Sequence, residues 1–231
     1  MINNIIFTNV SNVPEDYKPT PASISIPSWY KELESYINGK KKPSGDATTS
    51  ATIKRCMPVF DAITGGYILY TPTDVFVSQK DEQPWFEWAS YGFIQWHPVE
   101  QAPNHPNRRS LEGHYPKFIN PWGIKTPKGY SVLFTQPFHR EAPFTILDGI
   151  VDTDDYDAPV NFPFVLNDLK FEGMIPAGTP MAQVIPFKRE SWEMKIGGAK
   201  EYQAQDRTAA YVRTKFFDSY KDKFRKKKEY K

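Results

Sequence analysis

The order of apolar and polar residues predicts short strands over most of this chain. Between residues 52 and 188, β-branched and aromatic residues come in short runs that Gly-Gly, Thr-Pro-Thr-Asp, Pro-Lys-Gly and Pro-Ala-Gly segments interrupt. Such runs, bounded by turn residues, predict strands over 52–78, 84–96 and 120–188. Strands at this density are typical of a sandwich or a barrel. The sequence therefore predicts one mainly β core domain over residues 53–200.

The two ends of the chain have different patterns. Residues 1–52 are predicted to form an N-terminal arm: one short strand in IIFTNV, a short helical turn in SIPSWYKELESYIN, then a polar linker. Residues 38–52 have almost no apolar side chain to bury, so this stretch is predicted to be mobile. Residues 201–231, free of proline and glycine, are predicted to form a basic amphipathic helix, continuous from Arg207 to at least Lys221. Its apolar stripe is expected to dock on the core or on a neighbouring subunit: Val212, Phe216, Phe217, Tyr220 and Phe224.

Composition agrees with a β-rich protein and narrows its partners. The 231 residues are 39% hydrophobic and 15% aromatic, and the 21 prolines outnumber the 13 glycines, which favours strands and loops over long helices. The net charge of +2 argues against a generally basic nucleic-acid-binding protein. Residues 215–231 are the exception, since eight basic and three acidic residues give them a charge of +5. Nucleic-acid contact through this tail is the alternative to docking.

The chain has a single cysteine, Cys56, so neither an intramolecular disulfide nor a cysteine-based zinc site is expected. The four histidines form no His-x-His or His-x-Asp pair, and no metal site is predicted. The first residues lack the basic segment of a signal peptide, and no apolar stretch reaches the length of a membrane helix. These features predict a cytoplasmic protein without membrane attachment.

One acidic stretch stands out as candidate chemistry. In DGIVDTDDYDAPVNFPF, residues 148–164, three carboxylates follow a short apolar run: Asp152, Asp154 and Asp155. Two interpretations are open. The acids form a solvated turn at the end of a strand, or one of them acts as a general base that handles water.

The same stretch carries a resemblance to a known family. Gly149 to Asp154, with Asp155 as one extra residue before Tyr156, resemble the strand and turn of the dUTPase and dCTP deaminase superfamily. Gly178, Ala182 and Gln183 are similar to its next segment at the right spacing. Weaker similarity at 65–77 and 125–137 extends the resemblance over about residues 60–190. The whole chain also resembles uncharacterised phage-encoded proteins.

The resemblance implies a β-clip-like compact barrel or jelly roll and a homo-oligomer, possibly a trimer, because the family's sites form between subunits. It implies that Asp152 orients an attacking water and that Tyr156 packs under a deoxyribose. Gln183 would contact the nucleotide, or else satisfy buried backbone. Gln136, His139 and Arg140 lie at or just after the family's phosphate motif. The last two form either a displaced anion site or an exposed basic turn.

Two departures from the family oppose catalysis. Ile68 stands where the family has an acid that helps to bind magnesium, and a hydrocarbon cannot ligate a hard cation. Residues 135–137 replace the phosphate-gripping Arg-Ser-Gly motif, so a triphosphate would lose its guanidinium clamp.

The sequence therefore favours a phage-type protein with a degenerate dUTPase-like fold that binds a protein partner or a small ligand and is not an enzyme. A virion component is not distinguished from a protein of the host cytoplasm. The alternative is a pyrimidine nucleotide hydrolase with a rebuilt phosphate site, which would need magnesium. Two consequences follow: magnesium-dependent dUTP hydrolysis is not expected, and residues 120–188 should form adjacent strands, with the turn at 148–156 near the hairpin at 176–183.

Overall fold

The protein is mainly β, as predicted. A computed structural model describes residues 3–39, 50–81, 83–89, 92–101, 114–214 and 218–231. Within these ranges fourteen strands form four antiparallel sheets, each of them open, and the sheets do not close into a barrel. The strands are β1 Ile6–Asn9, β2 Thr20–Pro21, β3 Tyr67–Tyr70, β4 Val75–Lys80, β5 Gln83–Trp88, β6 Ile94–Pro98, β7 His114–Phe118, β8 Trp122–Lys125, β9 Tyr130–Thr135, β10 Phe144–Ile146, β11 Gly149–Val151, β12 Phe162–Leu166, β13 Gly173–Ile175 and β14 Pro180–Lys188.

Helical segments lie at the periphery. The α-helices are α1 Ser28–Glu32, α2 Met57–Thr64 and α3 Ala199–Thr214. Single 3-10 turns span Glu15–Tyr17, Ala22–Ile24, Ile37–Gly39, Ile53–Arg55 and Val99–Gln101, and a π-helical turn spans Tyr220–Phe224. No helix in the described ranges is both long and apolar enough to cross a membrane.

The largest sheet places the candidate residues. Its strand order is β11-β9-β14-β3-β2, with β14 in the centre and β9 between β14 and β11. The register sets Gly149 and Val184 on opposite sides of Phe134. Gly149 and Val184 are thus one strand apart, but the turn at 152–156 lies at the Tyr130 end of β9 and the turn at 176–179 lies beyond its Thr135 end. The predicted neighbourhood of the two turns is therefore wrong. Residues 148–164 contain strand and turn, and none of them is helical.

The core lies between the sheets and is strongly aromatic. Phe118 stacks on Phe164 with ring centroids 3.9 Å apart, and Phe144 meets Phe118 edge-on at 4.9 Å. All three side chains are fully buried. Offset and edge-to-face aromatic pairs add stability beyond their buried area. The four-stranded sheet β10-β12-β7-β6 supplies these rings, and the sheet β13-β4-β5 packs against them through Phe86.

The N-terminal segment differs from the predicted arm, because its two strands pair with strands of the core. β1 pairs with β8 from Ile6 to Asn9, and β2 extends the largest sheet by pairing with β3. The predicted strand and helical turn are both present, as β1 and α1. Most of the linker predicted to be mobile, residues 40–49, lies outside the described ranges.

The strand predicted for residues 57–64 is wrong, because these residues are helical. They form α2, with Pro58 in its first turn, where a missing amide hydrogen costs nothing. Met57, Phe60 and Ile63 recur every three residues, a helical spacing that the strand-like composition hid. The following Gly66 has φ +70°, and a Cβ there would lie 2.0 Å from the carbonyl oxygen of Val184. Only glycine allows β3 to begin this close to β14.

The C-terminal part also differs from the predicted single helix. Within the described residues, α3 covers Ala199–Thr214 and the π-helical turn follows at Tyr220–Phe224. The predicted stripe does not dock as a unit: Val212 and Tyr220 are exposed, and Phe224 meets Tyr211 of the same segment. Phe216 and Phe217 lie outside the described residues. The tail binds the body through later residues, above all Arg225 on Asp61.

Candidate functional site

The acidic stretch forms a tight turn at the end of β11. The amides of Asp155 and Tyr156 both donate to the carbonyl oxygen of Asp152, at 3.1 and 2.9 Å. Thr153 is buried in the turn, and its hydroxyl lies 2.8 Å from that of Thr126. The turn is thereby fixed to the loop that precedes β9.

Asp154 is the buried acid of the turn, with only 2% of its side chain exposed. Arg189, at the end of β14, binds both of its oxygens, with 2.7 Å from Nη1 to Oδ1. The amide of Gly129 donates to Oδ2 at 2.8 Å, from a backbone φ of +86° that favours glycine. The hydrogen bonds from Arg189 and Gly129 hold the pKa of Asp154 well below its ordinary range. Asp154 is therefore an anion at neutral pH, and its hydrogen bonds serve the structure of the turn.

Asp152, the predicted catalytic acid, is the exposed member of the group. Its side chain is 64% exposed and lies 3.3 Å from Nη1 of Arg189. The hydroxyl of Ser131 donates to its Oδ1 at 2.6 Å. Tyr156, the predicted sugar platform, is 53% exposed. A carboxylate that is open to water and lies beside a guanidinium lacks the sheltered pocket in which a general base holds its water.

Gln183 lies fully buried in β14, and its side-chain amide forms hydrogen bonds with backbone groups. Its Oε1 accepts from the amide of Phe138 at 2.9 Å. Its Nε2 donates to the carbonyl oxygens of Ala62 and Gly65 at 2.8 and 2.6 Å. These bonds join α2 to the loop after β9. The sequence left open whether Gln183 contacts a nucleotide or satisfies buried backbone, and this geometry is that of the second alternative.

Gln136 also serves local structure. Its Oε1 accepts from the amide of Ile146 at 3.0 Å, and its own amide donates to Asp148 Oδ1 at 3.1 Å. These bonds tie the end of β9 to β10 and to the residue before β11.

His139 and Arg140 differ from each other in exposure. His139 is exposed, with a left-handed φ of 55°, and its carbonyl oxygen accepts from the indole of Trp29 at 2.8 Å. Arg140 is half-buried and donates to the carbonyl oxygen of Ser25. Its Nε and Nη2 are buried without a hydrogen-bond partner in the described part of the chain. Burial lowers the pKa of this guanidinium, which the phenol of Tyr70 partly offsets.

The structure separates the predicted residues into two groups. Asp152 lies beside Ser131, at the start of β9, whereas Gln183 is opposite Thr135, at its end. Four residues of strand separate these ends, on the order of 13 Å. Asp152 and Tyr156 therefore lie at one end of the strand, and Gln136, His139, Arg140 and Gln183 at the other.

The magnesium implied by the family does not fit these residues. Ile68, at the position of the family's acid, is fully buried in β3 between Thr20 and Gln183. Within the described ranges, no three His, Cys, Asp or Glu side chains come together in a way that could hold a metal ion. Hard cations need several oxygen ligands, and this sheet offers hydrocarbon at the position concerned.

A cleft that the sequence did not indicate lies beside the acidic turn. It has a volume of about 310 Å³ and three phenol rings in its wall: Tyr67, Tyr130 and Tyr230. Thr126, which binds Thr153 of the turn, is part of the same wall. The rings of Tyr67 and Tyr230 meet edge-on at 5.8 Å, and burial raises the pKa of both phenols. Both are therefore neutral hydrogen-bond donors near neutral pH. We refer to this space as the tyrosine cleft.

The C-terminal tail forms a second, basic cavity beside the tyrosine cleft, whose own wall has Glu229 as its charged residue. This cavity of about 350 Å³ shares Glu229 and Tyr230 with the cleft and is lined by four basic residues: Arg225, Lys227, Lys228 and Lys231. Asp61 of α2 binds two of them, with 2.6 Å to Arg225 Nη2 and 2.9 Å to Lys228 Nζ. These pairs hold the tail against the body, so the basic cavity has a defined place.

The sequence did not reveal the tyrosine cleft because its wall comes from five distant segments. Residues 3–5, Tyr67, residues 126–130, Pro186 and residues 229–230 meet only in the folded chain. The sequence does show Tyr230 near the end of a basic tail, but the tail's pattern predicts helix docking or nucleic-acid contact. No protein family matches this chain, and no curated protein matches it either.

Proposed function

We propose that this chain is a non-enzymatic binding protein of phage type, with a degenerate dUTPase-like fold, that takes a small ligand in the tyrosine cleft. The observation that supports this most is the separation of the predicted catalytic acid, Asp152, from the predicted ligand contact, Gln183. Asp154 is bound by Arg189 and by the amide of Gly129, and Gln183 is bound by backbone groups. Asp152 and Gln183 lie at opposite ends of β9. A hydrolase needs these groups converged on one phosphate chain.

The proposed ligand class rests on the wall of the cleft and on the basic cavity beside it. Three tyrosines are part of the wall, and the neighbouring cavity carries four basic side chains that are paired with Asp61 or Glu229. That combination suits a small planar molecule with an acidic group, such as a nucleotide. The volume is at the lower end for ligand pockets, about 300–1,000 Å³, so the ligand is small.

The experiment is a thermal-shift and calorimetric screen of nucleoside mono-, di- and triphosphates, with and without magnesium. Binding should not depend on magnesium and should be lost in Tyr130→Ala, because Tyr130 is part of the cleft wall. Tyr202→Ala is the matched control, because that tyrosine lies on the exposed face of α3. Equal binding by Tyr130→Ala and the parent chain would contradict the site.

The second candidate is a pyrimidine nucleotide hydrolase with a rebuilt phosphate site. It is favoured by one contact, the hydroxyl of Ser131 on the exposed carboxylate of Asp152. Magnesium-dependent release of pyrophosphate from dUTP, abolished by Asp152→Asn, would establish this function. Retention of any activity in that variant would exclude Asp152 as the base.

The proposal includes a homo-oligomer, with a trimer as the state that the resemblance implies, in the host cytoplasm or in a virion. The resemblance supports it, because the family's sites form between subunits. Nucleic-acid binding by the 215–231 tail is a lesser proposal, since Asp61 and Glu229 neutralise part of its charge. Retention on a heparin column that falls steeply with salt would support the lesser proposal.

A further inference from the structure

Arg140, in the loop between β9 and β10, has one edge of its guanidinium buried and unpaired. Its Nη1 donates to the carbonyl oxygen of Ser25. Nε and Nη2, which together form the other edge of the planar group, are buried and have no hydrogen-bond partner among the described residues. Buried polar atoms are nearly always hydrogen-bonded, and buried charges are paired. This edge therefore requires an acceptor that carries negative charge.

Two other arginines of the chain show what such a group binds. Nε and Nη2 of Arg225 donate to Oδ1 of Asp61 at 3.0 and 2.6 Å, and this pair is also largely shielded from solvent. Both Nη atoms of Arg189 bind the buried carboxylate of Asp154. Two parallel N–H groups match the two oxygens of a carboxylate. The unpaired edge of Arg140 is the same edge that Arg225 uses, so a carboxylate is the partner that we expect.

No acid of the described chain fills this role for Arg140. The adjacent acid, Glu141, is exposed, and no carboxylate in the described ranges binds Arg140. Burial lowers the pKa of Arg140, and the phenol of Tyr70 is close enough to offset part of this effect. That phenol lies 2.6 Å from the hydroxyl of Thr20. A hydroxyl accepts a hydrogen bond but does not balance a charge, so the counter-charge has to come from a bound anion.

The loop that carries Arg140 is fixed on both sides. Before it, the amide of Phe138 donates to Gln183 at 2.9 Å. After it, Nδ2 of Asn167 donates to the carbonyl oxygen of Ala142 at 2.8 Å. The bond from Nη1 fixes the guanidinium itself. A group that is held in position before its ligand arrives loses little entropy on binding, so the unpaired edge is preorganised for one acceptor.

Charge and space select the kind of anion. One guanidinium balances one negative charge, so a monocarboxylate gives a neutral pair. A phosphate dianion would leave an unbalanced charge away from water, which is costly. The segment from Ser25 to Trp29 is bonded to the same loop at Arg140 and His139, so a ligand that reaches the edge has to be small.

We propose that Arg140 binds a small monocarboxylate through Nε and Nη2. Because these atoms are shielded from solvent, the ligand enters when the segment from Ser25 to Trp29 moves away from the loop, to which two hydrogen bonds attach it. The site lies near the Thr135 end of β9, whereas the tyrosine cleft includes Tyr130 at the other end. The inference therefore goes beyond the ligand of the cleft, and neither proposal depends on the other.

The test is an NMR and thermal-shift titration of the full chain with sodium formate and sodium acetate, at an ionic strength kept constant with sodium chloride. Acetamide is the uncharged counterpart of acetate, and sodium phosphate supplies a dianion. Arg140→Lys keeps the positive charge and removes the two-pronged edge. Arg207→Lys is the matched control, because Arg207 is exposed on α3. The Nε–H resonance of Arg140 is assigned in the parent chain by through-bond correlation with its backbone, so the test stands even if Arg140→Lys does not fold.

We expect formate and acetate to shift the Arg140 Nε–H resonance until it saturates, which gives the Kd. At about ten times that Kd, the melting temperatures of the parent chain and of Arg207→Lys should rise by about 3–6 °C over sodium chloride alone. Arg140→Lys should show no rise. An unmoved resonance would overturn the proposal, and so would an equal response to acetamide, tighter binding of phosphate or a full rise in Arg140→Lys.

Discussion

The guanidinium of Arg189 holds both oxygens of Asp154, with 2.7 Å between Nη1 and Oδ1, and joins the end of β14 to the turn after β11. Gly129 adds a backbone hydrogen bond to the same carboxylate. The acidic turn thus serves as an anchor in the fold. Its charge is buried because it is paired, which is the usual condition for a carboxylate inside a protein.

Replacing Asp154 with Asn should destabilise the chain more than replacing Asp152 with Asn. Asp154→Asn leaves the Arg189 guanidinium without its main partner, whereas the side chain of Asp152 is 64% exposed and shares the same arginine only at 3.3 Å. The measurement is the midpoint of thermal or urea unfolding for both variants. Equal midpoints would contradict an anchoring role for Asp154.

The same pair predicts how stability depends on pH. The folded pKa of Asp154 is below the ordinary value of about 3.9, so the pair stabilises fully above that value and its contribution is lost as the pH falls below it. The difference in melting temperature between the parent chain and Asp154→Asn should be constant from neutral pH to about pH 5. It should then shrink on further acidification. A difference that grows on acidification would contradict the assigned direction.

Replacing Gln183 with Leu should be destabilising, because three backbone groups lose their side-chain partner at once. The carbonyl oxygen of Gly65 is in a buried bond, and the amide of Phe138 and the carbonyl oxygen of Ala62 are in partly buried ones. A buried polar group left unsatisfied costs about 1–3 kcal/mol, so a loss of at least about 1 kcal/mol in the free energy of unfolding is expected. Urea unfolding measures it, with Gln79→Leu as a control whose amide also binds backbone, nearer the surface. If Gln183 were only a ligand contact, stability would stay unchanged and ligand affinity would fall.

Periodicity predicted the strands well where turn residues bounded them. The runs at 65–77 and 120–188 became β3, β4 and most of the strands of the sheets, because Gly-Gly and Pro-x-Gly segments fix where a strand ends. It failed at 57–64, where strand-like residues follow helical spacing behind Pro58. β-branched and aromatic content describes what fits a sheet, and tertiary packing overrides it.

The candidate site was less predictable than the fold for a physical reason. The sequence placed acids beside a strand end, which is visible locally, but the partner of Asp154 is Arg189, 35 residues later. The resemblance directed attention to Asp152 and Gln183, whose separation along β9 depends on sheet register. The tyrosine cleft depends on contacts between both ends of the chain and the middle, which no local pattern encodes.

Replacing Phe164 with Ala should reduce stability by about 3–5 kcal/mol, the usual effect of emptying a buried aromatic position. Its ring is fully buried and stacks on Phe118 while it meets Phe86 and Phe144 edge-on. Phe187→Ala is the matched control, because Phe187 in β14 is 37% exposed. Urea unfolding should place the control much closer to the parent chain. Similar losses in the two variants would contradict a core centred on Phe164.

Replacing Asp61 with Asn should release the C-terminal tail from the body. Burial alone would raise the pKa of Asp61, but hydrogen bonds and charge from Arg225 and Lys228 lower it, so it is an anion when it binds both. The carboxylate is 11% exposed and Arg225 is 16% exposed. Removing one partner of a largely buried ion pair costs more than about 1.4 kcal/mol, which is tenfold in an equilibrium constant.

Limited trypsin digestion at Lys227 and Lys228 is the measurement, because both residues lie in the docked segment and become substrates when it opens. The initial cleavage rate there should rise at least about tenfold in Asp61→Asn. Asp222→Asn is the control, since that carboxylate is in the same tail and is exposed. Its rate should equal that of the parent chain.

The tyrosine cleft loses part of its wall when Tyr230 leaves, so ligand affinity should fall in Asp61→Asn alone. Unchanged cleavage in Asp61→Asn would mean that the ring contact of Tyr230 with Tyr67 holds the tail without the ion pairs.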